Sequence, residues 1–207
     1  MIQLTDAKFL TPTKRSRRLS IMLAIHNEPR LSQHKIGQIA QLSSSMVNNY
    51  IKEFLNEGII TVSGNTNRTQ SYHLTSVGQK ELMTLLLAQY TEIIQFYGVT
   101  KREVAKRLTH LHVEGIREVA LFGAAETAEV VHTAINDTPL KVTAIVDSDP
   151  DKQGKALNGF TVLAPQELKK IDADAIVITS FAKQEEIFAE IRELVGEKVR
   201  VKKLSDL

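Results

Sequence analysis

The hydrophobic periodicity of this chain changes character near residue 100, and that change most constrains what it can fold into. Residues 14–98 carry apolar side chains at three- and four-residue spacing, broken by one polar loop. That is the repeat of helices burying one face. Residues 117–203 instead alternate short β-branched runs with helical stretches, the pattern of a parallel sheet with crossover helices. A length of 207 residues accommodates two small domains. The predicted division is 1–98 and 99–207, with Gly98 and Thr100 near the join and separate helices over 76–97 and 101–113.

Composition narrows the function classes. The chain has no cysteine, which excludes disulfides, thiolate metal sites and cysteine nucleophiles. No apolar run approaches the roughly 18 residues of a membrane span. Met1–Leu10 carries Asp6 and lacks the long apolar core of a signal peptide. A cytoplasmic protein without a membrane partner is expected. Net charge is only +2, but residues 1–98 hold ten Lys and Arg against six Asp and Glu. The densest cationic cluster is Lys14, Arg15, Arg17 and Arg18, suited to phosphate or to a solvated helix start.

The front half reads as three helices and a hairpin. The first covers about 14–26, with Leu19, Met22, Leu23 and Ile25 as its buried stripe. The second covers about 32–40 behind the N-cap Ser32, with Ile36 and Ile39 apolar. After the turn Gln41-Leu42-Ser43, a third helix starts behind the N-cap Ser43 and runs to about Asn56. Its inner face is Val47, Tyr50, Ile51, Phe54 and Leu55, and Gly58 ends it. Its outer face offers Ser44, Ser45, Asn48, Asn49 and Lys52, with Glu53 and Glu57 only at the far end. Asn pairs bidentately with adenine, Ser reaches bases or phosphates, and Lys meets guanine or phosphate. Ile59–Val62 and Thr69–Leu74 then flank Ser63-Gly64-Asn65-Thr66-Asn67-Arg68, a hairpin whose tip carries Arg68. Candidate DNA contacts are therefore Arg15, Arg18, Ser44, Ser45, Asn48, Asn49, Lys52 and Arg68.

The run Ile36-x2-Ile39-Ala40-x-Leu42-Ser43-x3-Val47-x3-Ile51-x2-Leu55-x2-Gly58-Ile59-Ile60 resembles the helix-turn-helix core of winged-helix repressors. Tyr72-x-Leu74-Thr75-x2-Gly78-x3-Leu82 resembles the segment after the wing in the MarR-like group. The resemblance implies a homodimer on double-stranded DNA, paired through the helix after the wing. Over 76–97 that helix carries Val77, Leu82, Met83, Leu85, Leu86, Leu87, Tyr90, Ile93, Ile94 and Phe96 around much of its circumference. A helix so apolar needs cover on more than one side, from a partner protomer or from the chain's own second domain.

The back half predicts a Rossmann-like, doubly wound parallel sheet, making the whole chain α/β behind a winged helix-turn-helix. Strands are expected at 118–122, Lys141–Val146, Phe160–Leu163, Ala173–Thr179 and Lys198–Lys202, with helices to about Ile135 and over Gln184–Leu194. Gly123-Ala124-Ala125-Glu126-Thr127-Ala128 stands where a dinucleotide fold carries Gly-x-Gly-x-x-Gly, so only the first glycine is kept. Asp147 follows at the spacing of a ribose-binding acid. The Ala125 methyl group crowds a pyrophosphate, and Glu126 competes with an anion at the helix start. Candidate ligand residues are Gly123, Ala124, Ala125, Glu126, Thr127, Asp147, Asp149, Ser180 and Phe181.

The order winged helix then Rossmann domain is similar to the redox-sensing Rex repressors, which implies NAD(H) as effector. Leu121-Phe122-Gly123-Ala124-Ala125-Glu126, Ala144-Ile145-Val146-Asp147-x-Asp149-Pro150 and Ile178-Thr179-Ser180-Phe181 resemble the Rossmann-like modules of nucleotide-sugar-modifying proteins, which implies a nucleotide sugar. No metal or enzyme constellation is legible: His110 and His112 point about 200° apart on a helix, and no base is implied beside Ser180. The leading expectation is a non-enzymatic transcriptional regulator, a repressor, with a small-molecule effector. The rivals are an enzyme or enzyme subunit of sugar-nucleotide metabolism using the winged helix for protein contacts, and a DNA-binding protein whose second domain is structural.

Overall fold

The computed structural model describes residues 11–64, 69–180 and 182–206. Contacts divide the chain into two compact units, one up to Tyr97 and one from Gly98 on.

In the first unit, α1 (Lys14–Asn27), α2 (Gln33–Ala40) and α3 (Ser44–Asn56) precede β1 (Ile60–Ser63) and β2 (Ser71–Leu74). Each helix opens on a hydroxyl cap: Thr13, Ser32 and Ser43 accept the backbone N–H of Ser16, Lys35 and Met46. The α2–α3 turn is tight. A Cβ on Gly37 would lie 2.6 Å from the Leu42 carbonyl oxygen, and Gln41 takes the left-handed conformation at φ 55°. The strands pair antiparallel, Ile60 opposite Leu74. Leu19, Met22, Ile25, Ile36, Val47, Tyr50, Ile51, Phe54, Ile59 and Tyr72 form one core. Two expected core residues are outside it: Leu55 is 42% exposed and Ile39 57%. The hairpin tip at 65–68, with Arg68, lies outside the described residues.

The two helices expected over 76–97 and 101–113 are one, α4 (Ser76–Val113). Gly98 weakens a helix by only about 1 kcal/mol relative to Ala, and no proline lies between Pro29 and Pro139 to stop it. Leu82 and Leu85 join the first unit's core, and Leu108 and Leu111 a core of the second.

The second unit is a six-stranded sheet: β3 (Glu118–Phe122), β4 (Lys141–Val146), β5 (Ala156–Leu157), β6 (Phe160–Leu163), β7 (Ala175–Ile178) and β8 (Arg200–Lys203), with α5 (Glu126–Ile135) and α6 (Gln184–Val195). The order is β5-β6-β4-β3-β7-β8, parallel except for β5 against β6. Two elements were not anticipated, the two-residue β5 and a 3-10 turn at Pro165–Lys170. Alternate strand residues face opposite layers. Val119, Leu121, Ile145 and Val177 pack with Val131 and Ala134 of α5. Ala120, Phe122, Val146, Ile176 and Ile178 pack with Ile191 of α6. Both faces are covered, which is why the strands read as continuous apolar runs. The chain winds outward from β3 through β4 to β6, then returns to β7 and β8, so the winding reverses between β3 and β7. That reversal opens a crevice at the strand carboxyl ends.

Candidate nucleic-acid interface and ligand cleft

The starts of α2 and α3 and strand β2 enclose a groove of about 760 Å³, lined by Arg30, Leu31, Ser32, Gln33, Ser44, Ser45, Asn48, Gln70 and Tyr72. Three of the predicted contacts, Ser44, Ser45 and Asn48, meet there. Asn49 and Lys52 lie exposed further along α3, and Arg15 is exposed on α1. None of the three front helices has an acid in its first turn. Their positive dipole ends therefore carry no carboxylate of their own first turn to compete with an anion. The second unit differs: α5 starts with Glu126 and Glu129 and α6 with Glu185 and Glu186.

The wing strand is tied to α2. Gln33 Nε2 donates to the Tyr72 hydroxyl at 3.1 Å, which donates to Gln70 Oε1 at 3.2 Å. The Tyr72 N–H donates to the Pro29 carbonyl at 2.8 Å. Arg30, Gln33 and Gln70 also line this groove and are not among the predicted contacts. Their signal was positional, since Arg30 and Gln33 flank the cap Ser32 and Gln70 begins the hairpin's return.

Arg18 is a correction. The sequence predicts it among the phosphate-facing cations, but it is only 9% exposed. Its Nε and Nη2 donate to Glu81 at 3.1 and 2.6 Å, Nη2 and Nη1 to Glu57 at 2.6 and 3.3 Å, and Nη1 also to Glu53. The guanidinium lies 4.8 Å from the Phe54 ring centre. All five donors of the fork are used. Burial alone would lower the guanidinium's pKa, but the hydrogen bonds to Glu57 and Glu81 outweigh it and raise it. Lys14, donating to Glu53 at 2.9 Å, holds that carboxyl below the usual range.

In the second unit, a cleft of about 710 Å³ sits at the carboxyl ends of β3, β4 and β7. Gly123, Ala125, Thr127, Asp147, Asp149, Ser180, Lys152 and Lys183 are among its lining. Ala124 and Glu126, also predicted, do not line it, and Phe181 lies outside the described residues. Gly123 has φ 113°, and a Cβ there would meet Thr179 Oγ1 at 2.7 Å. The buried Thr179 hydroxyl sits 2.9 and 2.8 Å from the Phe122 and Gly123 carbonyls, joining β7 to the turn.

Asp147 is built into this turn. Oδ2 accepts the Ala124 N–H at 2.6 Å and the Lys152 ammonium at 3.1 Å, and Oδ1 accepts the Asp149 N–H at 2.8 Å. Burial would raise its pKa, but the backbone N–H groups of Asp149 and Ala124, then Lys152, more than offset this and lower it. Three of the roughly four acceptor positions of a carboxylate are therefore occupied, one of them by a turn N–H that a dinucleotide fold turns toward phosphate.

Residues 15–61 match the sequence profile of winged helix-turn-helix DNA-binding domains. The front unit is a winged helix-turn-helix. Residues 115–201 match a second profile, described as C2185-like, N-terminal. Among curated proteins none matches the chain. Solved structures that resemble it include a Rex-family repressor, RSP, bound to NAD+ and operator DNA, at 13% identity over 100% of this chain and 88% of that one, TM-score 0.35. MepR, which regulates the Staphylococcus aureus efflux pump MepA, is 15% identical over 52% of this chain and 79% of its own, TM-score 0.37. A Mycobacterium tuberculosis MarR family protein in complex with p-aminosalicylic acid is 16% identical over 46% and 77%, TM-score 0.33. Likenesses this loose say nothing about what this chain binds. Among the described residues, no helix is long and apolar enough to cross a membrane.

Proposed function

We propose that the chain is a DNA-binding transcriptional repressor that reads duplex DNA through α3 and responds to a small molecule in the second unit. The observation that carries this is the groove between α2, α3 and β2, where Arg30, Gln33, Ser44, Ser45, Asn48 and Gln70 converge with no carboxylate among them. Asn48 and Asn49 supply base-edge donors and acceptors, while Arg15, Arg30 and Lys52 supply phosphate contacts. Arg18 is left out of this set.

The reader is proposed to act as a homodimer through α4. Met83, Leu87, Tyr90, Ile94 and Tyr97 recur at alternating four- and three-residue spacing and are all exposed. That spacing is a coiled-coil seam, and a two-fold pair would match a two-fold operator. The cleft beside Gly123 is proposed as the effector site, for a nucleotide or nucleotide sugar. Its position at the sheet's winding reversal supports a ligand. The engaged carboxylate of Asp147 supports a sensor over an enzyme, because a group holding two backbone N–H groups is poorly placed to move protons.

The test is binding of the full chain to random-sequence and library-selected duplexes between about 50 and 200 mM salt. Affinity that falls linearly with log salt, with selected sites preferred, is expected. No salt-dependent affinity anywhere in that range refutes the DNA reading. Thermal shift with NAD(H), a nucleoside diphosphate and a nucleotide sugar tests the effector.

A further inference from the structure

Residues 1–98 contain six acids, Asp6, Glu28, Glu53, Glu57, Glu81 and Glu92. Three of the six are gathered on one arginine. Glu53 and Glu57 belong to the end of α3 and its C-cap, and they are the acids that the reading segment carries. Glu81 comes from α4 and Arg18 from α1. The guanidinium lies over Phe54, the last large core residue of α3. We propose that Arg18 is a positioning residue for DNA reading: it pairs with Glu53 and Glu57 and neutralises them, so that neither carboxylate stands as an uncompensated charge on the helix that approaches phosphate. This rests on the DNA-reading function proposed above.

The charge arithmetic supports the role. Three carboxylates face two cations, Arg18 and Lys14. Removing Arg18 leaves three carboxylates against one ammonium, two of them at the end of the helix that must approach a polyanion. Buried ion pairs contribute little to net stability, but removing one partner leaves the others uncompensated. An apolar residue would pack against Phe54 as well as Arg18 does. It would not hold two carboxylates of α3 and one of α4 in place.

The experiment uses the full-length chain and a random-sequence duplex of about 30 base pairs, with affinity read by fluorescence anisotropy across salt and folding by thermal melting. Arg18→Met is expected to bind about tenfold more weakly with the wild-type salt slope, because no phosphate contact is lost. Adding Glu53→Gln, Glu57→Gln and Glu81→Gln to Arg18→Met is expected to restore affinity to wild type or better. Glu53→Gln with Arg18 intact is expected to change affinity less than about twofold, and it keeps the proposal testable if Arg18→Met fails to fold.

A salt slope reduced by about one in Arg18→Met, with no rescue by the glutamines, would mean that Arg18 touches phosphate directly and would overturn the proposal. So would a folded Arg18→Met that binds like wild type, or a tenfold gain from Glu53→Gln alone. If wild type itself shows no salt-dependent affinity, the DNA reading falls, a result distinct from loss of the Arg18 role alone.

Discussion

Replacing Asp147 by Asn tests whether the second unit depends on this carboxylate as a structural brace. The side chain accepts the Ala124 and Asp149 N–H groups at 2.6 and 2.8 Å and is nearly buried. Hydrogen bonds to a charged acceptor contribute about 1.5–3 kcal/mol each. The Lys152 pair adds little, since its ammonium-bearing side chain is 38% exposed. Asn keeps the shape and one acceptor oxygen, but it turns an NH2 toward an N–H donor. The expected loss is thus one charge-assisted bond and one donor clash, about 2–3 kcal/mol. Urea unfolding of the full chain, followed in β3 and β4 by amide exchange, reads it. pH supplies a second readout. The folded carboxyl is depressed, so its stabilisation is full above the unfolded value near 3.9 and is lost as pH falls from there toward the folded value. Wild type should therefore lose more stability than Asp147→Asn as pH falls below about 4. A loss under about 0.5 kcal/mol at neutral pH, or identical acid profiles, would refute the bracing role.

Asn48→Ala should weaken binding to a selected site about tenfold while leaving random duplex almost unchanged, as expected of a base contact; equal losses on both would reject that role. Arg30→Ala should weaken all duplexes alike and lower the salt slope by about one; an unchanged slope removes it from the phosphate set. Gly37→Ala puts a Cβ 2.6 Å from a backbone oxygen, so the α2–α3 turn must shift, at about 1–3 kcal/mol; a melting point equal to wild type would contradict the close approach. Ile94→Glu places a charge on the exposed α4 seam and should halve the solution mass by sedimentation; an unchanged mass argues against that interface.

What could be read in the sequence was local. Caps at Ser32 and Ser43, the apolar stripe from Val47 to Phe54 and the β-branched runs each declare themselves within one or two turns of chain. The errors arose from relations over distance. Arg18 meets its acids 35, 39 and 63 residues away, so no spacing betrays that its charge is already engaged. Leu55 continues an apolar repeat, yet the core is filled without it. Gly98 stands at the join of the two units but does not break the helix there, since propagation through one glycine is cheap when both flanks are packed. Asp147 stands at a ribose acid's spacing, while its partners Ala124 and Lys152 show only in three dimensions.

The two margins of the sheet have a consequence for behaviour at high concentration. One margin is β5, two residues long and antiparallel to its neighbour. The other is β8, carrying Arg200, Lys202 and Lys203. A strand edge recruits another chain when it is long, flat and uncharged. One margin is too short, and the other is lined with charged side chains, Lys202 and Lys203 in ion pairs with Glu114 and Glu185, so neither templates a growing ribbon. Crowded or partly opened molecules of this chain should therefore resist strand-to-strand polymerisation through this sheet.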